Sequence, residues 1–263
     1  MNNSKKGLII IIALTFVFIG VLTMGIIKDR NLNTALAESS TKKVQEEPKE
    51  ETKTEEKAPE EKKEEVKNTE TLDFYGKLKE KQSVRILILG DGLAMSQGRT
   101  SENGIWDKGV ANLIQTTYGS KVELKSLAQG GASTAVGIDI VKANDIKDYD
   151  LVITCFGHND NNTSVNTNQM KTNYNNIIAE VKNKSPKATI IVVLPSTLAL
   201  DNTYRDNIQK VATENNVAVA DMKKAFTESG VKESTLMNGA LPNDKGYQVY
   251  TQTIGNVIKV GIK

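Results

Sequence analysis

Residues 83–96 read SVRILILGDGLAMS, and this stretch decides the fold. Ser83–Gly90 is an aliphatic, β-branched run closed by glycine, the pattern of a strand buried on both faces. Four further runs of the same kind follow, at Lys121–Leu127, Asp150–Phe156, Ala188–Leu194 and Val217–Asp221. The amphipathic stretches between them predict helices over Ile105–Tyr118, Ala135–Ala143, Asn168–Lys184 and Tyr204–Asn215, and a last helix covers Asp244–Lys259. In Asn168–Lys184, the side chains of Met170, Tyr174, Ile177, Ile178 and Val181 recur at helical spacing, which is sufficiently explained as a core-facing stripe. Regular alternation of strand and helix predicts an α/β domain with a five-stranded parallel sheet covered on both faces. Ligands of such sheets bind outside the carboxyl ends of the strands, so function is to be sought in the loops that follow them.

Upstream of this domain the chain changes character. Gly7–Ile27, GLIIIIALTFVFIGVLTMGII, carries no charge, and a helix needs roughly 20 apolar residues to cross a bilayer. The expectation is a single-pass signal anchor over residues 7–27, with residues 1–6 in the cytoplasm. Lys5, Lys6 and the amino terminus favour that orientation against Lys28 and Arg30. The competing reading is a signal peptide cleaved near Ala37, because Ala35-Leu36-Ala37 has the A-x-A form. Its apolar region would usually be only about 7–15 residues long, however, and Lys28, Asp29 and Arg30 intervene. No lipobox-like cysteine follows the span. Residues 28–72 are rich in Glu and Lys, with Pro48 and Pro59 and little apolar content, too little to offset the entropy of ordering. They are expected to be a disordered spacer that holds a domain over residues 73–263 off the extracytoplasmic side of the membrane.

Composition excludes several function classes. The net charge is +2 with no sustained basic patch, which argues against nucleic acid as a partner. The one cysteine, Cys155, and the one histidine, His158, leave no internal disulfide and no Cys/His metal site. Cys155 reads as a small core residue, and nothing in the sequence asks for a cofactor.

Four short blocks follow the strands or precede the last helix. They are Gly90-Asp91-Gly92-Leu93-Ala94-Met95-Ser96, Gln129-Gly130-Gly131-Ala132-Ser133, Gly157-His158-Asn159-Asp160, and Asn238-Gly239-Ala240-Leu241-Pro242-Asn243-Asp244-Lys245-Gly246-Tyr247. Singly, such glycine-rich pieces are turn chemistry. In this order the chain from residue 83 to its end resembles the SGNH (also called GDSL) hydrolase family. The resemblance implies a flavodoxin-like three-layer α/β/α fold and activity on esters of lipids, acetylated sugars and related substrates.

In that family the first block is Gly-Asp-Ser, with the serine as nucleophile, and the last is Asp-x-x-His, with the histidine as base. Here Gly92 stands at the serine position, Asn238 at the aspartate and Leu241 at the histidine. The third block is matched in full by Gly157, Asn159 and Asp160, and Gly131 is the second-block glycine, with Gly130 the alternative. By the resemblance, the Gly92 and Gly131 N–H groups and the Asn159 amide are the oxyanion-hole donors, supported by Asp91, Gly157 and Asp160. The bland alternative is that Asn159 and Asp160 merely tie down their loop.

Without serine, base or orienting carboxylate there is no activated nucleophile. Losing a whole triad costs on the order of 10⁶ in turnover. Donors aimed at an oxyanion can still hold a ground-state carbonyl or acetyl oxygen. The sequence thus points to an inactive binding or accessory domain for acetylated cell-wall or exopolysaccharide groups. Two alternatives are an esterase with a relocated nucleophile, Ser96 or Ser133 with His158 as base, and a scaffold for a protein partner. A further option for a base acting on water is Asp91 or Asp244.

Overall fold

The computed structural model describes residues 72–262. The anchor expected at residues 7–27 and the spacer up to residue 71 lie outside the described residues. Among the described residues no helix is long and apolar enough to cross a membrane.

Strands β1 (Val84–Gly90), β2 (Val122–Ser126), β3 (Leu151–Cys155), β4 (Thr189–Leu194) and β5 (Ala218–Asp221) form one parallel sheet in the order β2-β1-β3-β4-β5. The helices are α1 (Phe74–Lys79), α2 (Trp106–Tyr118), α3 (Thr134–Ala143), α4 (His158–Asn162), α5 (Thr167–Lys184), α6 (Thr203–Glu214), α7 (Met222–Glu228) and α8 (Asp244–Gly261). This is the three-layer arrangement expected, and the reversal of strand order between β1 and β3 marks the ligand crevice of such folds.

The period of two along each strand divides the core. Ile86 and Ile88 of β1 pack in one layer with Trp106, Ile114, Tyr250 and Ile254. Leu87 and Leu89 pack in the other with Val141, Tyr174, Ile177 and Val181. Helix α2 lies against α8 on the first side, while α3 and α6 lie against α5 on the second. Each large aliphatic side chain so buried contributes about 1.5–3 kcal/mol. The stripe on Asn168–Lys184 is core, as expected, with Met170, Tyr174, Ile177, Ile178 and Val181 all buried.

Several local features depart from the sequence reading. Helix α1, capped by the Asp73 carboxylate accepting from Gly76 N at 2.7 Å, was not anticipated. Nor were α7 and the small antiparallel pair β6 (Met237–Asn238) and β7 (Leu241–Pro242). Residues 91–98, after β1, form successive turns. Ser96 (φ +56°) and Gly98 (φ +98°) turn the chain out of helical geometry. In the third block, His158 already begins α4 after Gly157 at φ +111°.

Candidate functional site

The site is assembled where β1, β2 and β3 end. Gly90 brings β1 so close to its neighbours that a Cβ there would lie 2.5 Å from the Ala94 Cβ. The next residue, Asp91, donates its N–H to the Cys155 carbonyl (3.0 Å). Its fully buried carboxylate accepts from Leu93 N (2.9 Å) and Asn159 N (3.3 Å), joining the first block to the third. Burial pushes the Asp91 carboxyl up to about 7, against these backbone N–H groups, which favour the charged form.

The second block is drawn in by Gln129 N donating to the Gly90 carbonyl at 3.0 Å. Gly131 follows at φ +75° with open space where a side chain would be. The Asn159 side-chain amide donates to the Gly131 carbonyl at 2.5 Å. Asp160, buried, accepts from Thr134 N (3.0 and 3.1 Å) and Thr134 Oγ1 (2.6 Å), which fastens the third block to the first turn of α3. Burial raises the Asp160 carboxyl and the Thr134 bonds oppose the rise. Gly157 is restricted to glycine twice over, by its φ of +111° and by Ile208 Cδ1 standing 2.5 Å from any Cβ. The Gly92 and Gly131 N–H groups find no acceptor among the described residues. One hydrogen of the Asn159 amide is spent on Gly131, which leaves the other for a ligand.

The fourth block closes over the turn at residues 96–98. Asn238 and Leu241 face each other across β6 and β7, joined through Gly239 at φ +63°. The Asn238 amide donates to the Gly98 carbonyl (3.0 Å), and Leu241 packs where a Cβ on Gly98 would lie 2.7 Å from its own. The Tyr247 hydroxyl donates to the Gln97 carbonyl (2.5 Å). Asp244 accepts from Thr100 Oγ1 (2.7 Å), Thr100 N (2.8 Å) and Ser101 N (3.2 Å), and these bonds hold its carboxyl down at about 2. That carboxylate is occupied in fastening the loop. Beside the hairpin opens a polar cavity of about 420 Å³, with Thr100, Asn238, Asp244 and Lys245 among its walls.

One residue at the centre was not singled out by the sequence. Gln97 donates its backbone N–H to the Gly92 carbonyl (2.9 Å) and lays its side chain over both glycines. A Cβ on Gly92 would overlap Gln97 Oε1 and lie 2.6 Å from Cδ, and one on Gly130 would lie 2.7 Å from Nε2. The space a serine side chain would use therefore holds a carboxamide. No motif marks this glutamine, because its importance comes from the turn geometry alone.

Ser96, Ser133 and His158 are not brought together. Ser96 is buried, and its hydroxyl accepts from Trp106 N at 3.2 Å at the start of α2. Ser133 precedes α3 without a side-chain capping bond. Both His158 ring nitrogens are engaged, Nδ1 with Thr197 Oγ1 (2.9 Å) and Nε2 with Asn162 Nδ2 (3.0 Å). Since Asn162 Nδ2 can only donate, the proton sits on Nδ1. Burial lowers the His158 pKa, favouring the neutral ring. Among the described residues no group of acidic, cysteine or histidine side chains could hold a metal ion.

Comparison with known proteins agrees with this arrangement. No curated protein sequence matches the chain significantly. Among solved structures, a two-domain esterase active on acetylated mannans is similar with a TM-score of 0.60 and 16% identity, over 71% of this chain and 51% of that one. The chain thus spans about half the length of that esterase. Axe2, an acetylxylan esterase from Geobacillus stearothermophilus, is similar with a TM-score of 0.55 and 16% identity over 67% of this chain and 94% of its own. The psychrotrophic esterase EstA from Pseudoalteromonas sp. gives 0.55 and 18% over 68% and 99%. At these identities the likeness is one of fold. The family model for GDSL-like lipases and acylhydrolases, however, matches residues 88–249, more than half of the sequence and all four blocks, and the chain belongs to that family.

Proposed function

We propose that this protein is a membrane-anchored, extracytoplasmic member of the family that binds acetyl groups of cell-surface polymers without hydrolysing them. One observation carries the reading: unpartnered N–H groups at Gly92 and Gly131 stand in the blocks joined by Asn159, while Gln97 fills the nucleophile's space. Leu241 at the base position cannot take a proton, and Asn238 carries no charge to steady an imidazolium. The neighbours active on acetylated mannans and on acetylxylan support an acetylated polysaccharide as the ligand class. Each neutral hydrogen bond adds only about 0.5–1.5 kcal/mol, so a single acetyl group binds weakly. A repeating polymer and several tethered copies raise the avidity. The apolar run at residues 7–27 and the charged spacer after it support placement at the outer face of a membrane.

The test uses the purified full chain in detergent. p-Nitrophenyl acetate hydrolysis is expected at background rate, and calorimetric titration with acetylated xylan and mannan fragments is expected to saturate, weakened by Asn159→Ala. Hydrolysis that disappears in His158→Ala would establish an esterase with a relocated nucleophile instead. Absence of heat with every acetylated glycan, where deleting the domain still impairs the cell, would leave the scaffold reading.

A further inference from the structure

Asp91 ties the first block to the third from a fully buried position. Its Oδ1 accepts the Leu93 N–H at 2.9 Å and its Oδ2 the Asn159 N–H at 3.3 Å, and the His158 N–H also favours the charged form. Leu93 in turn accepts the Trp106 indole N–H on its carbonyl (2.9 Å), and the Asn159 side chain donates to the Gly131 carbonyl. The carboxylate therefore stands at the junction of three blocks. No cation offsets its charge. The ionisable groups around it are Asp160 of α4, Cys155 of β3, Tyr174 of α5, and Tyr247 and Tyr250 of α8, all of them acids. The His158 imidazole is engaged elsewhere, with Thr197 and Asn162.

A buried carboxyl whose partners are all N–H groups bonds differently in its two states. Ionised, it accepts at both oxygens; protonated, one oxygen becomes a donor. The proton goes to Oδ2, whose bond to Asn159 N is the longer of the two, and there sets an O–H against an N–H, donor to donor. Burial has pushed this carboxyl up to about 7, so both states fall within the ordinary pH range. We infer that Asp91 is a proton-controlled latch, which holds the third block against the first when ionised and releases Asn159 when protonated. The latch acts on the framework and does not depend on what the site holds. Its consequence for binding rests on the function proposed above: an acetyl carbonyl held in part by the Asn159 amide is gripped more firmly when Asp91 is ionised, so affinity rises with pH through the same range.

The test needs no ligand. Hydrogen–deuterium exchange of the full chain in detergent is followed by mass spectrometry in a peptide covering residues 157–163, at about pH 5.5 and about pH 8.5, in wild type and Asp91→Asn. Comparing the two proteins at one pH cancels the intrinsic pH dependence of exchange, and the asparagine amide offers one acceptor and one donor at every pH, like the protonated acid. At the higher pH the wild-type peptide is expected to exchange about tenfold more slowly than the variant, the difference between a bond to a charged acceptor and one to a neutral acceptor. At the lower pH the two should agree within about twofold. Trp106, the only tryptophan, is a second reporter through Leu93: its wild-type emission should pass through one transition near pH 7 that Asp91→Asn lacks. If circular dichroism shows the variant unfolded, wild type alone decides, since exchange in residues 157–163 relative to residues 167–184 should then fall about tenfold between the two pH values. Equal exchange at the higher pH, no relative change in wild type, or an emission transition that persists in Asp91→Asn would overturn the latch. A latch that behaves as expected while no acetylated glycan binds would leave the inference standing and remove only the binding function.

Discussion

Replacing Gly98 by alanine tests the turn on which the site depends. Gly98 lies at φ +98°, a conformation that costs an L-residue about 1–3 kcal/mol. A Cβ there would also meet the Pro242 carbonyl oxygen at 2.5 Å and the Leu241 Cβ at 2.7 Å. Neither obstacle is a flexible side-chain end, so the β6–β7 pair must move, and overpacking of this kind costs about 1–3 kcal/mol. If the hairpin swings away, the bond from Asn238 to the Gly98 carbonyl goes with it, about 1 kcal/mol more. The expected loss is about 3–7 kcal/mol. With a urea slope of about 2 kcal/mol/M, the unfolding midpoint should fall by roughly 1.5–3.5 M. Gly239→Ala is the internal control, since Gly239 shares a positive φ (+63°) but has nothing within 4 Å of a Cβ. It should lose only about 1 kcal/mol, the conformational part alone. The measurement is urea unfolding of both variants followed by far-ultraviolet circular dichroism. A Gly98→Ala midpoint no lower than that of Gly239→Ala would refute the packing of the hairpin on this turn.

Other consequences follow from the same geometry. Gly92→Ser alone should hydrolyse p-nitrophenyl acetate no faster than wild type, since no base faces the new hydroxyl; its stability should change by less than about 1 kcal/mol, because the displaced Gln97 amide is exposed and unbonded. Asp91, at about 7 when folded against about 3.9 when unfolded, favours the folded state most below pH 4 and loses that contribution as pH rises through 7. Between these values wild type should lose up to about 1.4 kcal/mol per pH unit relative to Asp91→Asn. A flat difference between the two urea midpoints across that range would contradict the burial of this carboxyl. Thr134→Val removes the 2.6 Å hydroxyl bond to buried Asp160 and should cost about 1.5–3 kcal/mol by the same unfolding assay.

Strands β1, β3 and β4 were legible as aliphatic runs, because a strand covered on both faces permits little else, whereas edge strand β2 alternates as VELKS. The helices over Trp106–Tyr118 and Thr167–Lys184 were legible from their buried stripes. Shorter pieces were not: α4 spans only His158–Asn162, too few residues to display a period. The site was legible as four glycine-bearing blocks. Contacts that span the chain were not: Tyr247 reaches Gln97 from 150 positions away, and Asp244 reaches Thr100 from 144. No local pattern records such pairs, and a polar residue in a surface turn looks the same whether it is solvated or laid across a pocket.

Those long contacts also bear on residues 92, 238 and 241, the positions to which the family resemblance assigns a triad. The bonds that hold the blocks in place run between Asp91 and Asn159, Asp160 and Thr134, Asp244 and Thr100, and Tyr247 and Gln97. None of them involves the side chain of residue 92, 238 or 241, so the framework does not depend on what stands there. The replacements are, moreover, fitted to their surroundings. Gly92 leaves the room that the Gln97 amide fills, and Leu241 packs against Gly98. Asn238 donates to the Gly98 carbonyl, which an ionised aspartate, an acceptor only, could not do. Restoring Ser, Asp and His at positions 92, 238 and 241 would therefore displace the glutamine, set a carboxylate against a carbonyl and exchange an apolar contact for an imidazole. Hydrolysis from that triple variant is expected to stay near background, and activity in it would show that the replacements are independent of one another.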